Sequence, residues 1–275
     1  MDTERQVSEH YAHGSLERTI LGAVKAAGKD ADNLSHTDLS AVDEFHIGGR
    51  QATIDFAEQL KPARGAHFLD IGCGLGGASR YFATEHGCRI SGIDLTDEYV
   101  CVADALSKRM GLSGQVSYRQ ASALAMPFAD RNFDGAYMLH VGMNIPDKAK
   151  LFAEVKRVLK PGALFGIYDV MREGEGAFSY PVPWAASADT NFIEPLATYK
   201  RLLGGAGFDV VKERSRRDFA MEFFRQLRAR MAQSGPSPLG LQIVMGATAP
   251  QKVANMIALI DQGTVSPTEV IARAI

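Results

Sequence analysis

The chain has 275 residues, 46% of them hydrophobic, and 30 Lys and Arg against 32 Asp and Glu give a formal net charge of −2. That length buries one sizeable core with room for an added subdomain. The near-neutral balance argues against a nucleic-acid or membrane-surface binder, because phosphates are held by accumulated positive charge.

Three cysteines, Cys73, Cys88 and Cys101, are odd in number and lack close-spaced ligand pairs. They support neither a disulfide framework nor a zinc knuckle and fit reduced thiols. With a charged amino terminus and no run of bilayer length, the expectation is a cytoplasmic protein without signal peptide or membrane insertion.

In chain order, Leu16, Ile20, Leu21, Val24 and Ala27 share one face and predict a helix over 15–27. Thr53, Ile54, Phe56, Ala57 and Leu60 predict another before Pro62. Between them, Asp43 to Arg50 holds paired glycines flanked by His46 and Arg50. It reads as a lid arriving at a ligand mouth or as an ordinary interhelix loop. His10, Tyr11 and His13 near the start either close over a site or form a mobile surface segment. Without a nearby acid the two histidines do not make a metal site, and none is expected elsewhere.

Residues 66–77 are the most informative. An apolar run ends in Asp70 and breaks into Gly72, Gly74, Gly76 and Gly77, a strand feeding a ligand loop whose backbone can approach a bound molecule. A second apolar strand, 89–94, ends in Asp94, whose two oxygens can accept both hydroxyls of a ribose. The spacing Gly72, Gly74, Gly77 also satisfies the dinucleotide fingerprint, and Asp94 suits either ligand, so these residues leave nicotinamide and another nucleoside cofactor open. Asp70 weighs against a pyrophosphate, since like charges repel in a partly dry cleft, and favours a cationic ligand.

Downstream, helices near 76–86, 97–110 and 147–160 alternate with strands 89–94, 115–120, 133–140 and 163–170, which predicts a parallel sheet. The helix at 147–160 carries Leu151, Phe152, Val155, Val158 and Leu159 on one stripe and stops at Pro161-Gly162. A Gly- and aromatic-bearing stretch from Glu173 to Trp184 leads to a helix near 195–204 and a strand near 208–214. Residues 217–262 read as mostly helical, broken at 235–238. A last strand is expected near 269–274, where Glu269-Val-Ile-Ala-Arg-Ala also reads as helix. The basic cluster from Lys212 through Arg214, Arg216, Arg217, Arg225, Arg228 and Arg230 is interleaved with acids and reads as a solvated helix face.

Residues 68–76, apolar-apolar-Asp-apolar-Gly-x-Gly-x-Gly, resemble the first motif of the class I S-adenosylmethionine-dependent methyltransferases. Arg157-Val-Leu-Lys-Pro-Gly-Ala-Leu-Phe-Gly-Ile-Tyr168 resembles the same family's helix-turn-strand five. The likeness is specific over about 65–171. It implies a Rossmann-like α/β fold with a seven-stranded, mostly parallel sheet, an amino-terminal helical cap over 1–61, a core over 62–216, and a helical insertion with the last strand over 217–275. It also implies S-adenosylmethionine as cofactor, bound through Asp70, Gly72, Gly74, Gly76, Asp94, Leu95, Ala121, Ser122, Ala123 and His140. The family commonly has an Asp at the Ser122 position that bonds the adenine amino group. Ser122 can still accept a hydrogen bond.

Methyl transfer is an in-line displacement in which the enzyme mainly positions the acceptor and excludes water. His140, closing strand four with a pKa near neutrality, is the candidate base, and Asp169, closing strand five, a candidate acceptor ligand. His46, Met143, Asn144, Tyr168, Tyr180, Trp184 and Phe192 are candidate acceptor-side residues, with Tyr180, Trp184 and Phe192 a possible aromatic wall. Phe219, Phe223 and Phe224 have helical spacing and read as packing. The expected partner is a small-molecule acceptor, as for the ubiquinone/menaquinone-type C-methyltransferases and sarcosine/dimethylglycine-type N-methyltransferases that the layout resembles, with a monomer or homodimer as the working unit. An NAD(P)-dependent oxidoreductase and a catalytically silent cofactor-binding module are the alternatives.

Overall fold

In the computed structural model, which describes residues 3–12, 14–235 and 237–275, the apolar runs form a single seven-stranded sheet. Its strands are β1 (His67–Ile71), β2 (Arg89–Asp94), β3 (Val116–Gln120), β4 (Phe133–Leu139), β5 (Leu159–Arg172), β6 (Phe208–Ser215) and β7 (Val265–Ala274). They lie in the order β3-β2-β1-β4-β5-β7-β6, the first five parallel and β7 antiparallel to both neighbours. The chain turns to one side after β1 and later crosses to the other, so β1 and β4 flank the switch point where open α/β sheets bind ligands.

One face packs on α6 (Lys148–Val158) and α7 (Leu196–Gly205) through Leu151, Phe152, Val155, Tyr199 and Leu203. The other packs on α3 (Gly49–Leu60) and α4 (Gly77–His86) through Phe56, Leu60, Ala78 and Phe82. Four more helices shape the cleft: α1 (Thr3–Tyr11), α2 (Leu16–Ala26), α5 (Asp97–Arg109) and α8 (Arg217–Ser234). The short α9 (Gln242–Met245) and α10 (Ala249–Asp261) complete the late insertion.

Three expectations are revised. The last strand starts at Val265, and its helix-like reading fails because nine of its ten residues are buried on a central strand. Glu269 survives there because Arg214, at 2.7 Å, and Arg216 neutralise it from sequence-distant positions. Arg216 is accordingly buried, paired with Asp55 at 2.6 Å and stacked on Phe219, and does not belong to a solvated face. The chain is helical from Thr3 to Tyr11; His13 lies outside the described residues. Only Val7 of α1 is fully buried, so no apolar stripe advertised that helix.

All three cysteines are free thiols, two of them buried. Among the described residues no helix is long and apolar enough to cross a membrane.

Candidate active site

The loop after β1 takes the left-handed turns its glycines permit, with φ of +71° at Gly72, +51° at Gly74 and +79° at Gly76. Only one of them opens on empty space. A Cβ at Gly74 would meet no protein atom, whereas one at Gly72 would overlap Val141, one at Gly76 Tyr118, and one at Gly77 the Asp43 carbonyl. Gly76 and Gly77 are crowded by protein and do not line the central cavity; Gly72 and Gly74 do, and only Gly74 is open for a close approach to ligand.

Asp94, at the end of β2, accepts from Gly74 N–H on Oδ2 at 3.0 Å and from Thr96 N–H on Oδ1 at 2.9 Å. The Thr96 side chain and the Leu95 backbone also favour its charged form by hydrogen bonding. Asp70 is buried, and its Oδ2 accepts from Ser79 Oγ at 2.6 Å and Tyr137 OH at 3.1 Å. Burial pushes its pKa up to about 7, against the pull of those two donors. Burial thus favours its neutral form more than the sequence alone suggests.

Beneath this loop Arg80 is fully buried and bonds Asp43 Oδ2 and the Leu75 carbonyl, both at 2.7 Å. It clamps the segment from Asp43 to Arg50 against the glycine turn. That segment brings His46 and Ile47 to the cavity wall, which favours the mouth-closing reading over that of an ordinary loop.

His140 ends β4 in a left-handed conformation, φ +58°, held by its own N–H to the Tyr168 carbonyl at 2.6 Å. Its Nδ1 lies 3.1 Å from the same carbonyl and must donate to it, so Nε2 is unprotonated and accepts from Ile47 N–H at 3.3 Å. Burial lowers the ring's pKa to about 4. His46, whose Nε2 lies 3.1 Å from the Gly49 carbonyl, is lowered to about 3 by burial and then by the neighbouring His140. Both imidazoles are neutral at pH 7.

Asp169 does not reach the cavity. Its Oδ1 accepts from Val141 and Gly142 N–H at 2.9 and 3.2 Å, and its Oδ2 from Tyr199 OH at 2.7 Å, which anchors the loop after β4. Tyr168 is likewise buried, donating to the Ile47 carbonyl at 3.0 Å. Tyr180 and Phe192 stand off the cavity, one stacked on Phe178 and one bonded through its N–H to Met143 O, so the aromatic wall reduces to Trp184. Met143 and Asn144 do line it. Phe223 and Phe224 also line it and, as their spacing suggested, pack in the apolar cluster with Met143 and Trp184.

Helix α1 roofs the strand ends. Ser8 Oγ donates to the Leu95 carbonyl at 3.4 Å, Tyr11 OH to Asn144 Oδ1 at 3.3 Å, and Ser122 Oγ to Glu4 Oε1. Ser122 itself does not line the cavity, but Glu4, Leu95, Ala121 and Ala123 do. Nothing in the sequence pattern pointed to Glu4, because its partner is distant along the chain. The cavity measures about 1860 Å3. Among the described residues no cluster of His, Cys, Asp and Glu could hold a metal ion.

A glycine loop after β1, a carboxylate after β2 and a reversed β6–β7 edge define the class I methyltransferase fold, in which the β1 loop and the β2 acid frame a nucleoside cofactor. Residues 69–167 match the family described as "Methyltransferase domain". It is 34% identical over 133 residues to the O-methyltransferase resE of Aspergillus sclerotiorum, covering 48% of this chain and 50% of that one. It is 32% identical over 177 residues to the O-methyltransferase cnsE of Penicillium expansum, covering 63% of each. The chain thus spans about half to three-fifths of these relatives. Among solved structures, the phosphoethanolamine N-methyltransferase 2 of Haemonchus contortus in complex with S-adenosyl-L-methionine superposes with a TM-score of 0.75 at 19% identity, over 98% of this chain and 60% of that one. The oxidoreductase alternative finds no support in these likenesses.

Proposed function

We propose that this chain transfers a methyl group from S-adenosylmethionine to a hydroxyl of a small-molecule acceptor. The carrying observation is the pair Gly74 and Asp94: a loop backbone open to the cavity, and a carboxylate at the end of β2 that lines the same cavity where a ribose diol would sit. When bound, the cofactor supplies an electrophilic methyl group on a cationic sulfur. Asp70, held by Ser79 and Tyr137, favours the positively charged end of such a ligand and disfavours diphosphate.

The protein's own part is then positioning, exclusion of water and custody of a proton. Helix α1 and the Asp43 to Arg50 segment cover the strand ends, and Trp184 and Met143 wall the acceptor side. His140 offers an unprotonated Nε2 in a tautomer locked by the Tyr168 carbonyl, and its long bond from Ile47 N–H is the one an acceptor hydroxyl displaces when it gives up its proton. The O-methyltransferase names of the two fungal relatives support oxygen as the attacked atom.

A cofactor-consumption screen across phenols, alcohols, quinols and amines, read by product mass, tests this reading. A hydroxyl-bearing acceptor gaining one methyl is the expected outcome. Stabilisation by NAD and not by S-adenosylhomocysteine in thermal melts would overturn it.

A further inference from the structure

The cavity is larger than one nucleoside cofactor requires. Sites for single small ligands run from roughly 300 to 1,000 Å3, and this one measures about 1860 Å3. Its polar and apolar groups are separated. Asp70, Asp94, His46 and His140 gather at the strand ends, while the volume beyond them is walled by α8 and α10 through Met221, Phe223, Leu227, Val253, Met256 and Ile257. Of these only Met256 is buried; the other five are half-buried, packed on the apolar cluster around Trp184, Phe224 and Leu259 while still lining the cavity. The polar residues that the late helices contribute to the lining, such as Gln226, Arg228 and Asp261, are solvent-exposed. An apolar wall with its polar residues exposed is the pattern of a ligand chamber, not of an unfinished core.

The composition of the wall adds to this. Five of the chain's ten methionines, Met143, Met221, Met231, Met245 and Met256, line this one cavity. Unbranched and polarisable, methionine repacks around ligands of different outline.

We propose that the chamber under α8 and α10 takes the hydrocarbon body of a long, largely apolar acceptor, an isoprenoid or comparable alkyl chain, whose single polar end points to His140. This rests on the methyl-transfer reading for the role of the polar end, but the chamber's preference for hydrocarbon is separately measurable.

The test uses the full chain loaded with S-adenosylhomocysteine. Displacement of bound anilinonaphthalenesulfonate is followed with octanol, dodecanol, hexadecanol and farnesol, alongside a methyl-transfer assay on each. Affinity should rise about three- to fourfold per methylene until the chamber is filled, and farnesol should bind within a few-fold of a straight chain of similar size. Leu227→Trp and Val253→Trp, which fill the hollow, should each lower hexadecanol affinity by at least about tenfold and leave S-adenosylhomocysteine affinity and the melting temperature near their starting values. Should either bulky variant fail to fold, Ile257→Ser provides the same readout by making the wall polar. Affinity that is flat along the series, or unchanged in the variants, overturns the proposal even when small polar acceptors are methylated. Chain-length dependence without methylation of any acceptor upholds the chamber and removes the methyl-transfer reading instead.

Discussion

The hydroxyl of Ser122, at the end of β3, donates to the carboxylate of Glu4 on the first helix. The two residues join opposite ends of the cofactor half of the molecule, and they place an acid beside Ala121 and Ala123, one strand beyond Asp94. An adenine whose ribose rests on Asp94 would extend toward that strand, and its exocyclic amine needs an acceptor there.

Replacing Glu4 by Ala is accordingly expected to weaken S-adenosylhomocysteine binding by about tenfold, the scale of a hydrogen bond to a charged group. Ser122→Ala, which removes one partner of the Glu4 carboxylate, should cost less. Calorimetric titration of both variants checks this, and equal losses would show that Ser122 makes the ligand contact itself.

Asp94 is the more exposed test of the cofactor site. Asp94→Ala should weaken the same ligand by roughly 1.5–3 kcal/mol, with part of the loss arising from the release of the Gly74 and Thr96 N–H groups it now holds. An unchanged dissociation constant would remove it from the site.

The glycines separate packing from binding. Gly77→Ala drives a Cβ into the Asp43 carbonyl, which Arg80 prevents from yielding, and should lower stability by roughly 1–3 kcal/mol. Gly74→Ala meets no protein atom, so its expected signature is lost ligand affinity with only the strain of a left-handed alanine, about 1–2 kcal/mol. Melting curves and titrations on the two variants should rank them in opposite orders.

Stability should fall as pH rises from about 6.5 to 8. Burial raises the pKa of Asp70 and of Asp169 to about 7, and burial with the Asp43 charge raises that of Glu44 to about 8. Unfolded, these groups are already ionised across that window, so the folded state binds more protons and loses its advantage as they leave. His46 and His140, depressed to about 3 and 4 from 6.5, act in the opposite sense. Their stabilisation, present above pH 6.5, is lost on acidification below it and leaves the upper window to the carboxyls. Melting temperatures of the ligand-free protein measured at half-unit steps should show the decline, and Glu44→Gln should make it shallower.

Much of this molecule was legible in its residues. The turn at Gly72 and Gly74, the acid at Asp94 and the alternation from β1 to β5 are short-range signals, since a strand of continuous apolar residues and a glycine break are written within a few positions. So was the stripe of α6. What lay beyond such reading depends on partners distant in sequence. Nothing near Glu4, Asp169 or Glu269 reveals that each carboxylate meets its partner from another element, and the same is true of α1, which is fastened by hydrogen bonds and by Tyr11 against Phe45 and Tyr99. Local pattern determined the cofactor loop and the sheet. Tertiary packing alone decided that His140 holds one fixed tautomer, that Asp169 anchors a loop, and that α8 and α10 together wall the cavity, because each outcome is a balance of burial and hydrogen bonding among groups the chain brings together only when folded.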